Sequence, residues 1–287
     1  MIKKRVLIFG WTGMLWNVFR VTQSGTFDII PLSYDDCDIT IFPFVLNLIS
    51  LHEPDVILNF AAYTDVSNAE GQGMLEVYSV NALWAQNIAK AAWVFGIPLI
   101  HISTDYVFDG EKSEPYLPTD IPNPIQSYGM SKYLGEELMR REYSDTIIVR
   151  TSGLYGWPLF GMPWSKRNFV NSLMEQTKNH IPLYVVDDEF TLPTSCIDLS
   201  CALASLIWII EDSLWEVFHF IPAADSLVSW YMVAKEVEKH RSDIWPIFPI
   251  ARDVYGSKVR RPKMSILKNT APIVLPDWRI ALQKYFH

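Results

Sequence analysis

The sequence has 287 residues, 49% of them hydrophobic, and a formal net charge of −8 at pH 7. This length allows one large core or two lobes, and the negative charge argues against nucleic acid as a partner. No apolar run reaches the length of a bilayer span, so we expect no membrane insertion. The 3 cysteines are odd in number and lack metal-ligand spacing, which predicts a reducing, cytoplasmic setting.

Strand-like apolar runs alternate with helix-sized segments through the first half of the chain. The predicted strands are Val6–Phe9, Phe27–Leu32, Asp55–Asn59, Pro98–Thr104 and Thr146–Arg150, and the intervening helices include Glu76–Phe95 and Ser127–Arg141. Alternation of this kind predicts an α/β, Rossmann-like, doubly wound parallel sheet with helices on both faces. Such sheets bind ligands beyond the carboxyl ends of their strands.

The second half of the chain is less regular and predicts a smaller lobe closing over the substrate. Its predicted elements are the helices Asn168–Lys178 and Ser229–His240, the strand Val217–Ile221, and a loop rich in Gly, Pro and Trp over 157–167. We therefore divide the chain into a dinucleotide-binding domain and a substrate-binding lobe. The domain covers 1–150, with 185–222 returning to it, and the lobe covers 151–184 and 223–287.

A glycine-containing turn follows the first strand and opens a helix. The candidate cofactor-binding residues of this turn are Gly10, Thr12, Gly13, Met14 and Leu15. Glycines let the backbone approach a diphosphate, whose charge faces the helix N-terminus. Two glycines after a strand also occur in purely structural turns, but the alternating architecture favours binding.

The residues beyond the second strand are candidates for the adenosine end of a dinucleotide. Asp38 and Ile39 could hold an adenine edge, although Asp38 could equally be a helix N-cap. The acids at 35–36 lie about 20 residues past the glycine turn, where a carboxylate can accept the ribose 2′-hydroxyl. No Arg or Lys lies between Arg20 and Lys90, which favours NADH over NADPH.

Two short segments carry the candidate chemistry. The fourth predicted strand ends in the hydroxyl of Thr104, and Tyr128 and Lys132 follow four residues apart, so both leave one face of a helix. A hydroxyl, a phenol and a lysine beside a nicotinamide form a proton-donating site for carbonyl reduction. A second pair with this spacing, Tyr231 and Lys235, follows no comparable strand, so we interpret it as structural.

These residues belong to longer runs that resemble one family. The runs are Asn59–Val66, Val80–Ala82, Ser103–Gly110, Tyr128–Lys132, Gly135–Glu136, Arg150–Ser152, Asn168–Phe169, Pro193–Thr194, Arg261–Pro262 and Pro276–Trp278. On them the chain resembles, nearly end to end, the dTDP-4-dehydrorhamnose reductase family of extended short-chain dehydrogenases/reductases.

The resemblance implies the roles of the candidate residues. Tyr128 would protonate the 4-keto oxygen of a nucleotide-linked 6-deoxy sugar, Thr104 would hydrogen-bond that oxygen, and Lys132 would lower the pKa of Tyr128 and bind the nicotinamide ribose. The implied cofactor-contact residues are Ala61, Ala62, Tyr63, Asn81 and Ser103, and the implied substrate-contact residues are Thr64, Val66, Tyr106, Asn168 and Arg261. It also implies NADPH or NADH as reductant, a role in dTDP-rhamnose biosynthesis, and a monomer or homodimer. Some relatives are metal-assisted dimers, but this sequence has no acid cluster that would compel a metal, so we expect none. Arg261 could equally be a surface charge pair.

Three positions depart from the family pattern. Trp16 stands where a third glycine lets the helix pack on the strand, so we expect overpacking of about 1–3 kcal/mol. Trp84 replaces a small residue, and Gly153 stands where related reductases often carry a tryptophan against the sugar. With 13 Gly and 11 Trp in the chain, we hypothesise that several tryptophans are glycines encoded by UGA; UGG codons at 16 and 84 would exclude this.

Two alternatives to the reductase remain. One is a regulatory binding protein, because the regulatory subunit of methionine adenosyltransferase resembles this family too. The other is an enzyme acting on a different nucleotide sugar, or an epimerase, since Gly153 enlarges the pocket. Intact Thr104, Tyr128 and Lys132 favour an enzyme, whereas Trp16 gives some weight to the binding protein.

Overall fold

We describe a computed structural model of the chain, and within it residues 3–10, 13–32, 39–156, 168–177, 181–210, 216–241 and 246–286. Two of the sequence-predicted cofactor residues, Thr12 and Asp38, lie outside these residues, as do the acids at 35–36 and the predicted loop 157–167.

A six-stranded parallel sheet forms the centre of the molecule, in the order β2-β1-β3-β4-β5-β7. Its strands are β1 Arg5–Phe9, β2 Asp28–Leu32, β3 Val56–Asn59, β4 Leu99–Thr104, β5 Thr146–Thr151 and, later in the chain, β7 Val217–His219. The chain order reverses beside β1, which is the position where open α/β sheets bind ligands. The predicted fold class is confirmed, and every predicted strand of the first half is present.

Helices cover both faces of this sheet. The α-helices are α1 Met14–Gln23, α2 Phe42–His52, α3 Met74–Tyr78, α4 Ala85–Phe95, α5 Ser127–Glu142, α6 Phe169–Thr177, α7 Cys196–Ile209, α8 Trp230–Lys239, α9 Arg252–Tyr255 and α10 Trp278–Phe286. A π-helical turn, Ser79–Trp84, joins α3 to α4. Among the described residues, no helix is long and apolar enough to cross a membrane.

The buried side chains of β1 show how two cores arise from one strand. Val6 and Ile8 belong to the cluster that α1 and α7 cover, whereas Leu7 and Phe9 belong to the one that α2, α4 and α5 cover. Successive side chains of a strand point to opposite faces, so a fully apolar run serves both layers. The sequence therefore signals a central, doubly covered strand.

A third core lies beyond the carboxyl edge of the sheet. It joins the helices α6, α8 and α10 to a small parallel sheet. That sheet pairs β6 Leu183–Val186 with β9 Ile247–Ile250, and a further short pair joins β8 Pro222–Ala223 to β10 Leu275–Asp277. The boundaries of the proposed lobe stay a prediction; α7 and β7 pack with the central sheet, whereas β6 pairs within the third core.

Candidate active site

One cavity of about 340 Å³ opens at the carboxyl edge of the sheet, between the sheet and the third core. Small-molecule sites in proteins have volumes of about 300–1,000 Å³. The sequence-predicted residues that line it are Gly13, Met14, Leu15, Ala62, Thr64, Val66, Ser103, Thr104, Tyr106, Tyr128, Lys132 and Asn168. Of the four strand-end residues expected to meet along one crevice, Ala62 and Thr104 line this cavity, whereas Gly10 and Ala61 do not.

The N-terminus of α1 forms one end of the cavity. Gly13 is the N-cap, has no side chain to cap the helix, and is followed by no acidic residue in the first turn. Met14 and Leu15 of that first turn line the cavity. Because the first N–H groups of a helix lack intrahelical partners and favour anions, this end fits the diphosphate of a dinucleotide.

Gly10 makes the close approach of β1 to β3 possible. It has a φ of +98°, and a Cβ there would lie 2.5 Å from the backbone nitrogen of Ala61. Its carbonyl accepts a hydrogen bond from the N–H of Gly13, at 3.1 Å. Gly10 therefore shapes the turn, and it is not among the residues that line the cavity.

The indole of Trp16 is accommodated at the edge of the cavity. It is 6% exposed and packs in the core between α1 and α7. The guanidinium carbon of Arg20 lies 5.1 Å from the ring centroid. Trp16 lines the cavity together with Gly13 and Met14, so it narrows this end without closing it.

The start of α5 holds Tyr128 against the end of β4. The side chain of Gln126 caps the helix by accepting the N–H of Gly129, and a Cβ on Gly129 would lie 2.0 Å from the carbonyl oxygen of Tyr106. Burial raises the pKa of Tyr128 to about 12, against a hydrogen bond with Thr104 that lowers it. Its ring meets that of Tyr106 edge to face, with centroids 6.2 Å apart.

Lys132 is buried, and its ammonium group contacts two acceptors on β4. It is 2% exposed, and its Nζ donates to the carbonyl oxygen of Ile102 at 2.6 Å and lies 3.1 Å from Nε2 of His101. Burial lowers its pKa to about 7, while Glu136 opposes this. The expectation that Lys132 lowers the pKa of Tyr128 stays a prediction, since burial is the largest cause of the pKa shift of each group.

Buried charge lies beneath the floor of the cavity. Arg150 and Glu136 form an ion pair with the Nη2–Oε2 distance at 2.6 Å, and both are almost fully buried. The hydroxyl of Ser103 donates to the same carboxylate. Ser103 is thus committed to this pair, which ties α5 to β4 and β5.

Asp105 is a cavity residue that the sequence reasoning did not single out. It is 3% exposed and lines the cavity beside Thr104, whose hydroxyl donates to its Oδ1 at 3.0 Å. Burial raises the pKa of Asp105 to about 6. Its position directly after the carboxyl end of β4 is the sequence signal that could have identified it as a cavity residue.

Asn81 and Tyr63 lie outside the cavity lining. The amide of Asn81 is buried and bonds to both backbone groups of Tyr63 and to the hydroxyl of Ser131. These bonds fix the loop after β3 against α5. Three further predicted residues, Ile39, Ala61 and Arg261, are also absent from the lining, and Arg261 bonds to Ser257 at 3.2 Å.

Trp230 and Gly153 together form a wall of the cavity, although no sequence signal links the two residues. Both line the cavity, and the Cη2 atom of Trp230 lies 3.3 Å from where a Cβ on Gly153 would sit. Gly153 has a φ of +53°, which favours glycine. The indole also packs on Phe169, with centroids 4.5 Å apart. An indole from α8 therefore occupies the space beside Gly153.

The fold and this cavity define a Rossmann-type protein in which a hydroxyl, a phenol and an ammonium line one cavity together with the N-terminus of a helix. The family described as the RmlD substrate binding domain matches residues 4–287, and the chain belongs to it. This confirms the family that the sequence motifs indicated.

Named relatives cover nearly the whole chain. It is 33% identical to the dTDP-4-dehydrorhamnose reductase of Aggregatibacter actinomycetemcomitans, with 97% of both chains covered. It is 30% identical to the dTDP-4-keto-6-deoxy-D-glucose reductase of Streptomyces niveus, covering 93% of this chain and 89% of that one. The crystal structure of the Bacillus anthracis dTDP-4-dehydrorhamnose reductase in complex with NADP superposes with a TM-score of 0.90 at 31% identity, covering 99% of each chain.

Proposed function

We propose that this chain reduces the 4-keto group of a dTDP-linked 6-deoxy sugar, dTDP-4-dehydrorhamnose, to give dTDP-L-rhamnose, with NADPH or NADH as the reductant. The observation that carries the proposal is the convergence of Thr104, Tyr128 and Lys132 in the cavity that the N-terminus of α1 enters. The names of its relatives support the same reaction. We further propose a cytoplasmic enzyme that is a monomer or a homodimer.

The cofactor would lie along the carboxyl edge of the sheet, with its diphosphate at the N-terminus of α1 and its nicotinamide towards Tyr128. When bound, the reduced nicotinamide supplies the hydride. Candidate contacts are Gly13, Met14, Leu15 and Ala62, all of which line the cavity. The preference for NADH stays a prediction, because residues 33–38 lie outside the described residues and the B. anthracis structure contains NADP.

Tyr128 would act as the general acid. With a pKa of about 12 its phenol is protonated at neutral pH, so the proton is available for the oxygen that becomes an alkoxide. Thr104 hydrogen-bonds the phenol, and its one hydroxyl proton, which Asp105 accepts in this structure, would turn to the keto oxygen when the sugar binds. General acid assistance of this kind contributes about 10²–10⁴-fold to a rate.

The sugar nucleotide would extend from Tyr128 towards the third core. Thr64, Val66, Tyr106 and Asn168 line this part of the cavity, and Trp230 adds an apolar wall. Asn168 also links the sugar part of the cavity to the N-terminus of α1, since its amide nitrogen lies 3.4 Å from the sulfur of Met14.

The first test is turnover by Tyr128→Phe, measured as loss of reduced nicotinamide absorbance with dTDP-4-dehydrorhamnose. We expect kcat to fall by about 10²–10⁴-fold, because the variant keeps the ring but has no proton to donate. Tyr231→Phe, in the second Tyr-x-x-x-Lys pair, is the matched control and should keep wild-type turnover. Equal rates for Tyr128→Phe and wild type would remove Tyr128 as the acid.

The same assay separates the alternatives. A regulatory binding protein would bind the cofactor without oxidising it. A reductase for another sugar would prefer a different substrate from a panel of dTDP- and UDP-linked 4-keto sugars. The S. niveus relative, named for a different keto sugar, is the reason to include that panel.

A further inference from the structure

A second buried base, His101, lies directly beneath Lys132. His101 is in β4, is 0% exposed, and its Nε2 lies 3.1 Å from Nζ of Lys132. The carbonyl oxygen of the next residue, Ile102, accepts from the same Nζ at 2.6 Å. Two acceptors from one strand therefore hold one ammonium.

The chemistry of the contact fixes the state of the imidazole. When Lys132 is charged it has only donors, so Nε2 accepts from it and the ring proton is on Nδ1. Nδ1 has no hydrogen-bond partner among the described residues. Burial, and then the charge of Lys132, hold the pKa of His101 well below its usual range, so the ring stays neutral and remains an acceptor.

The other charges near Lys132 are already engaged. On its own helix Glu136 is paired with Arg150 from β5, and Asp105, after β4, accepts from Thr104. Three further groups on neighbouring elements contact the ends of α5: Glu70 accepts from the N–H of Ser127, Tyr78 hydrogen-bonds with Ser127, and Lys90 pairs with Glu142. Hydrogen-bond acceptors, rather than a nearby free carboxylate, therefore satisfy the buried ammonium.

We propose that His101 is a positioning residue for the reaction: its neutral imidazole favours the charged form of Lys132 and holds it turned so that the remaining N–H faces the cavity. The inference deepens the proposed function, on which it rests, by naming what holds the lysine of the catalytic group. His101 touches neither substrate nor cofactor in this arrangement, because it is not among the residues that line the cavity.

The test isolates the titration of Lys132 in the cofactor-free protein. The folded-state pKa of Lys132 is about 7, below the 10.5 of an ordinary lysine, so the unfolded state binds more protons above pH 7 and the free energy of unfolding rises with pH there. The free energy of unfolding is measured by urea titration of wild type and of Lys132→Met, from about pH 5 to about pH 9. The difference between the two proteins at each pH gives the part of the rise that depends on Lys132.

The same difference is then measured in two His101 backgrounds. In His101→Phe the ammonium loses an acceptor, so we expect the rise to begin about one pH unit lower, equal to a tenfold change in the lysine's acid constant. His101→Gln supplies an amide oxygen near the position of Nε2 and should restore the wild-type onset. A role in packing alone would lower stability in both backgrounds and leave the onset unchanged, which would overturn the proposal.

Turnover links the contact to the reaction. The alkaline limb of the kcat profile should move by the same unit in His101→Phe and return in His101→Gln. If wild type turns over no nucleotide sugar while the onset still moves, the proposed function fails and the contact stands. If turnover is normal and the onset does not move, the proposal for His101 fails alone.

Discussion

Burial acts on the two ionisable groups of the site in the same sense, since it disfavours the charged form of each. It raises the pKa of Tyr128 to about 12 and lowers that of Lys132 to about 7. The phenol therefore keeps its proton at neutral pH, whereas the lysine is close to its midpoint. A reaction that needs the ammonium should lose rate as pH rises through this value.

Trp16 is the residue whose side chain bears most directly on cofactor affinity. We predict that Trp16→Gly tightens NADPH binding by about tenfold, or about 1.4 kcal/mol, because removing the indole widens the end of the cavity that Gly13 and Met14 also line. Fluorescence titration of NADPH measures this effect. Trp93→Gly, whose indole is 64% exposed on α4, should leave the affinity unchanged.

The stability of Trp16→Gly tests the hypothesis that the residue at position 16 is a glycine encoded by UGA. If tryptophan is native at position 16, the deletion leaves a cavity and lowers the free energy of unfolding by about 3–5 kcal/mol. If glycine is native, the helix and strand close together and stability rises. Weaker NADPH binding by Trp16→Gly would contradict the argument that the indole at position 16 narrows the cofactor end of the cavity.

At the scale of elements, α5 is placed by two glycines that let it touch its neighbours. A Cβ on Gly135 would lie 2.1 Å from the carbonyl oxygen of Asn81, in the π-helical turn. Alanine is the better helix former by about 1 kcal/mol. Overpacking against a backbone atom costs about 1–3 kcal/mol, so the contact outweighs the propensity.

We therefore predict that Gly135→Ala lowers both stability and kcat. The helix must move away from the π-helical turn, and it carries Tyr128 and Lys132 with it; a displacement of about 1 Å can cost about 10²-fold in rate. Urea unfolding and turnover together measure the effect. Gly25→Ala, where nothing lies within 4 Å of the added Cβ, is the matched control, and equal behaviour of the two variants would refute the packing argument.

The elements differ in how far the sequence alone predicts them. The strands of the central sheet and α5 follow from local signals: buried apolar runs, and the four-residue spacing of Tyr128 and Lys132. The helix Phe42–His52 is apolar along most of its length, so no helical period marks it. The boundary of the proposed second lobe stays a prediction, because no change in composition near β6 indicates it.

The site shows the same division between local and long-range information. Strand ends predicted the crevice, because parallel strands end at one edge. The contact of His101 with Lys132 spans 31 positions, and that of Trp230 with Gly153 spans still more. Nothing in either local sequence indicates the partner, so these contacts became visible only with the tertiary structure.

At the scale of the whole molecule, the cavity is built from two sides with separable tasks. The sheet side supplies the N-terminus of α1, and the third core supplies Trp230 against Gly153.

We predict that Trp230→Ala raises KM for the nucleotide sugar by about tenfold to a hundredfold, because about 1.5–3 kcal/mol of apolar contact is lost. The dissociation constant for NADPH should stay close to that of wild type, because the indole packs against Gly153 and Phe169 rather than at the N-terminus of α1. Trp93→Ala, on the outer surface of α4, should change neither constant. Steady-state kinetics with each substrate varied in turn, together with fluorescence titration of NADPH, measures both; an equal loss of NADPH affinity in Trp230→Ala would show that the indole belongs to the cofactor side.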